Sequence, residues 1–246
     1  MTIALPLFPL NTVLFPGLVL PLTVFEPRYR ALMGDLLEIP EDEPRPFGVV
    51  AIRDGHEVAP TALGLPDGSP APDPGPAAGF GPEPMASFHG VGCVADASTI
   101  REREGAEGYE VLATGTTRFR LLSVDASGPY LIGEVEELEE DSGEGAGALA
   151  AGVLRAFGEY RKRLAGAQQL TLTTGQELPE EPSVVSYLVA AATVLDTVTK
   201  QRLLQAPDTA SRLAEELRLL RRETAVLGEL PSLPAVDLTH QPTSPN

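Results

Sequence analysis

The chain has 246 residues, a formal net charge of −17, 43% hydrophobic residues and no tryptophan. That is enough apolar material for a packed core in one large or two small domains, while so acidic a surface disfavours phosphate backbones and anionic membranes as partners. The single cysteine, Cys93, excludes an intrachain disulfide and suits a reducing compartment.

The most apolar stretch opens the chain. From Leu5 to Phe25 it is broken by Pro6, Pro9, Pro16 and Pro21, which no helix tolerates, so it reads as two short strands joined by turns. Pro16-Gly17 fits the centre of a type II turn. The prolines, and the lack of a basic region ahead of them, argue against a signal peptide. No segment reaches the roughly 20 uninterrupted apolar residues of a membrane span. A cytoplasmic setting is expected.

Pro27 to Leu37 turns helical, with Tyr29, Leu32, Met33, Leu36 and Leu37 on one face. Pro27 suits the first helical turn, and Glu26 lies at the positive end of the helix dipole. Phe47–Ile52 is a strand. Residues 60–84 hold eight prolines and five glycines and little that could pack, so 60–86 reads as a flexible Pro/Gly-rich insertion. Strands follow at Phe88–Ala97, Tyr109–Gly115, Thr116–Val124 and Tyr130–Glu136, with a charged hairpin tip at 101–108. Six or seven strands and one helix make a mostly antiparallel β unit, expected to close on its first strand.

Glu139–Gly147 is acidic and Gly-rich and marks the expected domain boundary. It also separates an acidic body from a balanced remainder: residues 1–147 hold 8 Lys/Arg and 24 Asp/Glu, the rest 10 and 11. Beyond it the apolar period becomes helical. Leu149, Val153, Leu154, Phe157, Tyr160 and Leu164 share one face. Ser183 is a candidate cap for a second helix, uncharged from Ser183 to Leu195, with Val184, Leu188, Ala191 and Leu195 as its repeat. Lys200–Gln205 adds another turn or two. Asp208 is a natural cap for the last helix, with Leu213, Leu217 and Leu220 inward and Arg212, Glu215, Glu216, Arg218, Arg221 and Arg222 outward. The expected division is a β domain over 1–140, a helical bundle over 148–230 and a disordered tail over 231–246.

The opening order Leu-Pro-Leu-Phe-Pro-Leu, then Asn11-x-Val-Leu-Phe-Pro-Gly17, an apolar strand and a helix, resembles the start of the substrate-binding LON domain at the N-terminus of Lon proteases. Gly90-Val91-Gly92, Gly115-Thr116-Thr117-Arg118-Phe119-Arg120 and Lys200-Gln201-Arg202-Leu203-Leu204-Gln205 continue the resemblance in order, so it spans residues 3–228. The Pro/Gly-rich insertion departs from it. The resemblance implies an α+β fold: a twisted PUA-like β pseudo-barrel with one helix, followed by a C-terminal helical bundle. It also implies a non-catalytic module that binds unfolded or exposed apolar polypeptide, acting as an adaptor in protein quality control beside a protease or chaperone.

Lon proteases carry an ATPase and a Ser-Lys protease after this domain. A Walker A loop needs a lysine behind a Gly-rich turn. The two lysines here, Lys162 and Lys200, do not follow glycine and fall in helical segments. No enzyme activity is therefore expected. His56, His89 and His240 are scattered, and no metal-ligand spacing occurs, so no cofactor or metal is expected. His89 and Cys93 would share a strand face about 13 Å apart, too far for a nucleophile pair.

The candidate polypeptide-binding residues are Phe15, Phe25 and Tyr29, bordering an apolar groove. The competing reading places them in the core, where most apolar residues lie. An alternative function is a small-molecule or regulatory sensor using a pocket between the β domain and the helices. Nucleic-acid binding, which needs a basic face, is not expected.

Overall fold

The computed structural model describes residues 2–55, 75–168 and 179–229. The expectations for most of the insertion, for His56 and His240, and for the 231–246 tail lie outside these. The elements are β1 (Thr2–Leu10), β2 (Val19–Val24), α1 (Pro27–Leu37), β3 (Pro46–Ala51), β4 (Val91–Glu102), β5 (Tyr109–Asp125) and β6 (Ile132–Leu138). Four helices follow: α2 (Ala146–Gln168), α3 (Pro182–Ala192), α4 (Thr197–Leu204) and α5 (Thr209–Glu229). The fold is a mixed α+β one.

Neighbouring strands run β2-β5-β4-β3-β1-β6, and β6 pairs again with β5, so the sheet returns on itself. β1 lies parallel to β3 and antiparallel to β6. Both faces of β1 are covered, which is why its sequence is apolar almost without alternation. Leu5 and Leu7 join Val50, Phe119, Leu121 and Val135 on one face. Phe8 and Leu10 join Phe47, Cys93 and the α1 residues Tyr29, Leu32 and Met33 on the other.

The stretch 109–124, expected as two strands parted at Gly115, is one strand of 17 residues. Its first half pairs with β2 and its second with β6. Gly115 stands between those partners. A Cβ there would lie 2.5 Å from the carbonyl oxygen of Phe15. The glycine thus admits the turn before β2, whose Gly17 N–H donates to Gly115 O at 2.8 Å. That turn is the expected Pro-Gly one: Gly17 has φ 78°, and Leu18 N–H donates to Phe15 O at 3.2 Å. Gly115→Ala should therefore overpack against backbone and lower stability by about 2 kcal/mol. Urea unfolding followed by circular dichroism checks this, and an unchanged midpoint would contradict the close approach.

Other local signals appear as read. Pro27 opens α1, and Asp208 Oδ1 accepts from Ser211 N–H at 2.7 Å at the head of α5. α3 instead begins at Pro182 with Glu181 ahead of it, so Ser183 does not cap it; proline presets the first helical φ one residue earlier. Its buried side is Val185, Tyr187, Val189 and Ala190, whereas Val184 is 43% exposed. Within 75–86, read as part of a flexible stretch, Phe80 is buried and its ring centroid is 4.8 Å from that of Phe88, while residues 81–83 and 86 are exposed.

α2, α3 and α5 share a core of Val153, Phe157, Tyr160, Val185, Leu213 and Leu220. This helical layer is not separate from the β unit. Phe15 enters it, packing with Tyr187, Ala190, Leu203, Leu204 and Leu219. Gln201 Nε2 donates to Val91 O at 2.8 Å, and Thr197 Oγ1 to Asn11 O at 3.0 Å.

Candidate functional site

β2 lies at one end of the strand order, and the described residues place no strand on its second side. There a groove of about 210 Å³ runs between β2, the end of β1 and the head of α1, bordered by Phe8, Leu10, Pro21, Leu22, Phe25 and Tyr29. Its floor is rigid: Phe8 and Tyr29 are buried and stacked, with ring centroids 4.2 Å apart. Phe25 forms its rim and is 50% exposed. On the adjoining sheet face Val19 is also exposed, and Pro21 lies opposite exposed Leu112. Phe25 is the one aromatic among the exposed large hydrophobics of the described residues, and it stands beside a strand edge that no described strand covers.

The head of α1 is held by Arg28. Its guanidinium pairs with Glu26 at 3.0 Å, donates to Ala78 O at 2.7 Å and Pro76 O at 3.2 Å, and lies over the rings of Tyr29 and Phe80. Residues 76–80 are thereby fastened to the helix that forms one wall of the groove.

Of the three candidate residues, Phe25 and Tyr29 border this groove, one as rim and one as floor. Phe15 is elsewhere. It is 1% exposed between the β unit and the helices, where it serves packing. Phe8, Leu10, Pro21 and Leu22 were not singled out from sequence. The signal was available in the apolar run they share with Phe25.

The joint between the β unit and the helices is electrostatic. Glu140, in the segment read as an acidic hinge, accepts from Arg118 Nη2 at 3.0 Å, Arg212 Nη1 and Nη2 at 3.0 Å and Thr209 Oγ1 at 2.8 Å. It also accepts from the Tyr187 hydroxyl, whose ring lies under Arg212 with the guanidinium carbon 4.0 Å from its centroid. Arg118 donates onward to Leu204 O and Ala206 O, and Arg212 to Leu203 O. Arg212 and Glu216, expected to face outward, are therefore buried. The network joins β5, the β6–α2 segment, α3, α4 and α5. Burial would raise the Glu140 pKa, but the Tyr187 hydroxyl and the Arg212 charge outweigh it and hold the carboxyl below the usual range.

Glu216 is the opposite case one turn along α5. Among the described residues neither carboxyl oxygen has a hydrogen-bond partner, and burial drives its pKa well up against the pull of Arg212, which Glu140 already engages. An acid whose folded pKa is raised binds more protons folded than unfolded. Its penalty therefore begins near the unfolded value, about 4.3, and grows as pH rises toward the folded one. Glu216→Gln should be more stable than the wild type, with a larger gain at pH 8 than at pH 5. Equal urea midpoints at the two pH values would contradict that.

No cysteine chemistry enters the site. Cys93 is buried within the sheet, and burial pushes its thiol up to about 12. Among the described residues no His/Cys/Asp/Glu group could hold a metal, and no helix is long and apolar enough to cross a membrane.

The Lon N-terminal domain protein of Xanthomonas campestris is 22% identical with a TM-score of 0.51, covering 93% of this chain and 99% of that one. The N-terminal domain of the Mycobacterium avium complex Lon protease is 18% identical with a TM-score of 0.55, covering 90% and 98%. At these identities the likeness is one of fold. In sequence, the chain is 27% identical over 226 residues to Lon protease 2 of Myxococcus xanthus and 28% identical over 231 residues to the Lon protease of Anaeromyxobacter dehalogenans. It spans 91% of its own length in both matches but only 24% of each relative. The sequence family described as the ATP-dependent protease La (LON) substrate-binding domain matches residues 4–222, and the chain belongs to that family.

Proposed function

We propose that this chain is a non-catalytic polypeptide-recognition module, in which the groove beside β2 takes an extended apolar segment. The observation that carries this reading is Phe25, half exposed over a floor of Phe8 and Tyr29 at a strand edge that no described strand covers. Main-chain pairing along β2 would supply affinity and the groove would select apolar side chains. The reading treats residues 1–140 as a LON-type pseudo-barrel and 148–230 as a helical bundle that backs it. In the cell such a module would act as an adaptor, presenting unfolded chains to a protease or chaperone.

Titration of a fluorescent, permanently unfolded protein into the wild type and Phe25→Ser tests the binding, and co-purification at physiological salt tests the adaptor role. Binding that is absent from the wild type, or unchanged by Phe25→Ser, would sink the proposal.

A further inference from the structure

A second concave surface lies where the β unit meets α3. It is a cleft of about 480 Å³, bordered by Pro16, Leu138, Val184 and Tyr187 and rimmed by Glu137 and Glu139. Its volume is within the roughly 300–1,000 Å³ range of ligand pockets. Its contents are of two kinds. The interior is apolar, with Val184 turned to solvent at the head of an uncharged helix. The rim is anionic. Residues 134–144 hold seven acidic residues and no basic one. Glu136 is paired with Arg120, and Glu140 with Arg118 and Arg212. Glu137 and Glu139 make no ion pair among the described residues. The arginine that lines the cleft, Arg118, is engaged by Glu140 and two backbone carbonyls.

We infer that this cleft is a docking surface for a cationic apolar polypeptide segment: one or two large apolar side chains flanked by Lys or Arg. Exposed apolar surface ringed by uncompensated like charge is what such a segment complements. The apolar side chains would cover Val184 and Leu138, and the flanking cations would neutralise Glu137 and Glu139. The inference rests on the polypeptide-binding reading and adds a site chemically unlike the β2 groove, whose rim carboxylate Glu26 is already paired with Arg28. A chain with both features could hold one substrate at two points, or sort substrates by charge.

The test uses two labelled peptides with the same apolar residues, one flanked by lysines and one by serines, and reads fluorescence anisotropy. The proteins are the wild type, Glu137→Gln/Glu139→Gln, Val184→Asp and Phe25→Ser. All the replaced side chains are solvent-exposed, and thermal unfolding checks that each variant folds. The lysine-flanked peptide should bind the wild type with salt-sensitive affinity. The double variant should weaken it roughly tenfold and flatten the salt dependence, with serine-peptide binding unchanged. Val184→Asp should weaken it through the apolar floor.

If the double variant and Val184→Asp bind the lysine peptide as the wild type does, the cleft is not a docking surface, and the β2 groove still stands on the serine peptide. If only the lysine peptide binds, and the acidic variants abolish it, the cleft stands and the groove reading falls. Binding of neither peptide to the wild type overturns both.

Discussion

Glu140→Ala should lower the stability of the whole chain by about 3 kcal/mol, the low end of the cost of breaking a buried ion pair. The low end applies because the Glu140 side chain keeps 30% exposure. The loss is large because of what remains. The Arg118 and Arg212 side chains are 3% and 0% exposed, and without Glu140 their hydrogen-bond acceptors among the described residues are neutral carbonyl and hydroxyl oxygens. The effect should not be confined to the helices, because the network spans β5 and three helices and Phe15 is clamped beside it. Urea unfolding read by far-UV circular dichroism should remain one transition, shifted to lower urea. A second transition, with the β unit surviving the helices, would show that the joint does not couple the two layers.

The same residue sets an acid limit. Its folded pKa lies below its unfolded one, so its contribution is complete above the unfolded value, about 4.3, and is lost as pH falls through the folded one. Glu140→Gln should therefore flatten the fall in stability below about pH 4 while lowering stability at pH 7. Glu216 acts in the other direction, losing stability as pH rises. Two carboxyl groups that feel the same Arg212 charge thus tilt the stability curve oppositely, one pulled down by its hydrogen-bond partners and one pushed up by burial.

Phe25→Ser should weaken binding of an unfolded polypeptide about thirtyfold, the ratio that corresponds to a 2 kcal/mol interface hot spot. Its urea midpoint should stay within error of the wild type, since the ring is already half in water. Tyr29→Ala makes the contrast. Tyr29 is 4% exposed and stacked on Phe8, so its loss should cost about 3 kcal/mol of stability. Any effect on binding would then follow from a damaged floor. If Phe25→Ser instead destabilises the chain as much as Tyr29→Ala does, Phe25 is a core residue and the groove loses its rim.

Local devices were legible in the sequence because their causes are local. Pro16-Gly17, Pro27 and Asp208 act within three residues of themselves, and each appears as read. Long-range pairings were not. Arg212 looks like an outward residue on an amphipathic helix, and its partner Glu140 is 72 residues away. Arg28 holds carbonyls 48 and 50 residues on, in a stretch whose prolines and glycines suggested that nothing there would pack. α3 shows a different limit. With no charged residue from Ser183 to Leu195 there is no polar stripe to orient it, so periodicity placed Val184 in the repeat when it faces the cleft. Gly115 suggested a break because glycine weakens strands. Here it marks the point where one strand exchanges neighbours. Of the candidate site, the apolar run announced Phe25 and Tyr29, but nothing in it separated a rim from a floor, or either from Phe15.

An extended apolar polypeptide bound as proposed lies along the edge of β2 that no described strand covers. Amide hydrogen exchange, measured residue by residue with and without a saturating serine-flanked apolar peptide, tests it most directly. New protection is expected within Val19–Phe25, with little change in α2 and α5. Saturation without added protection along β2 would contradict it.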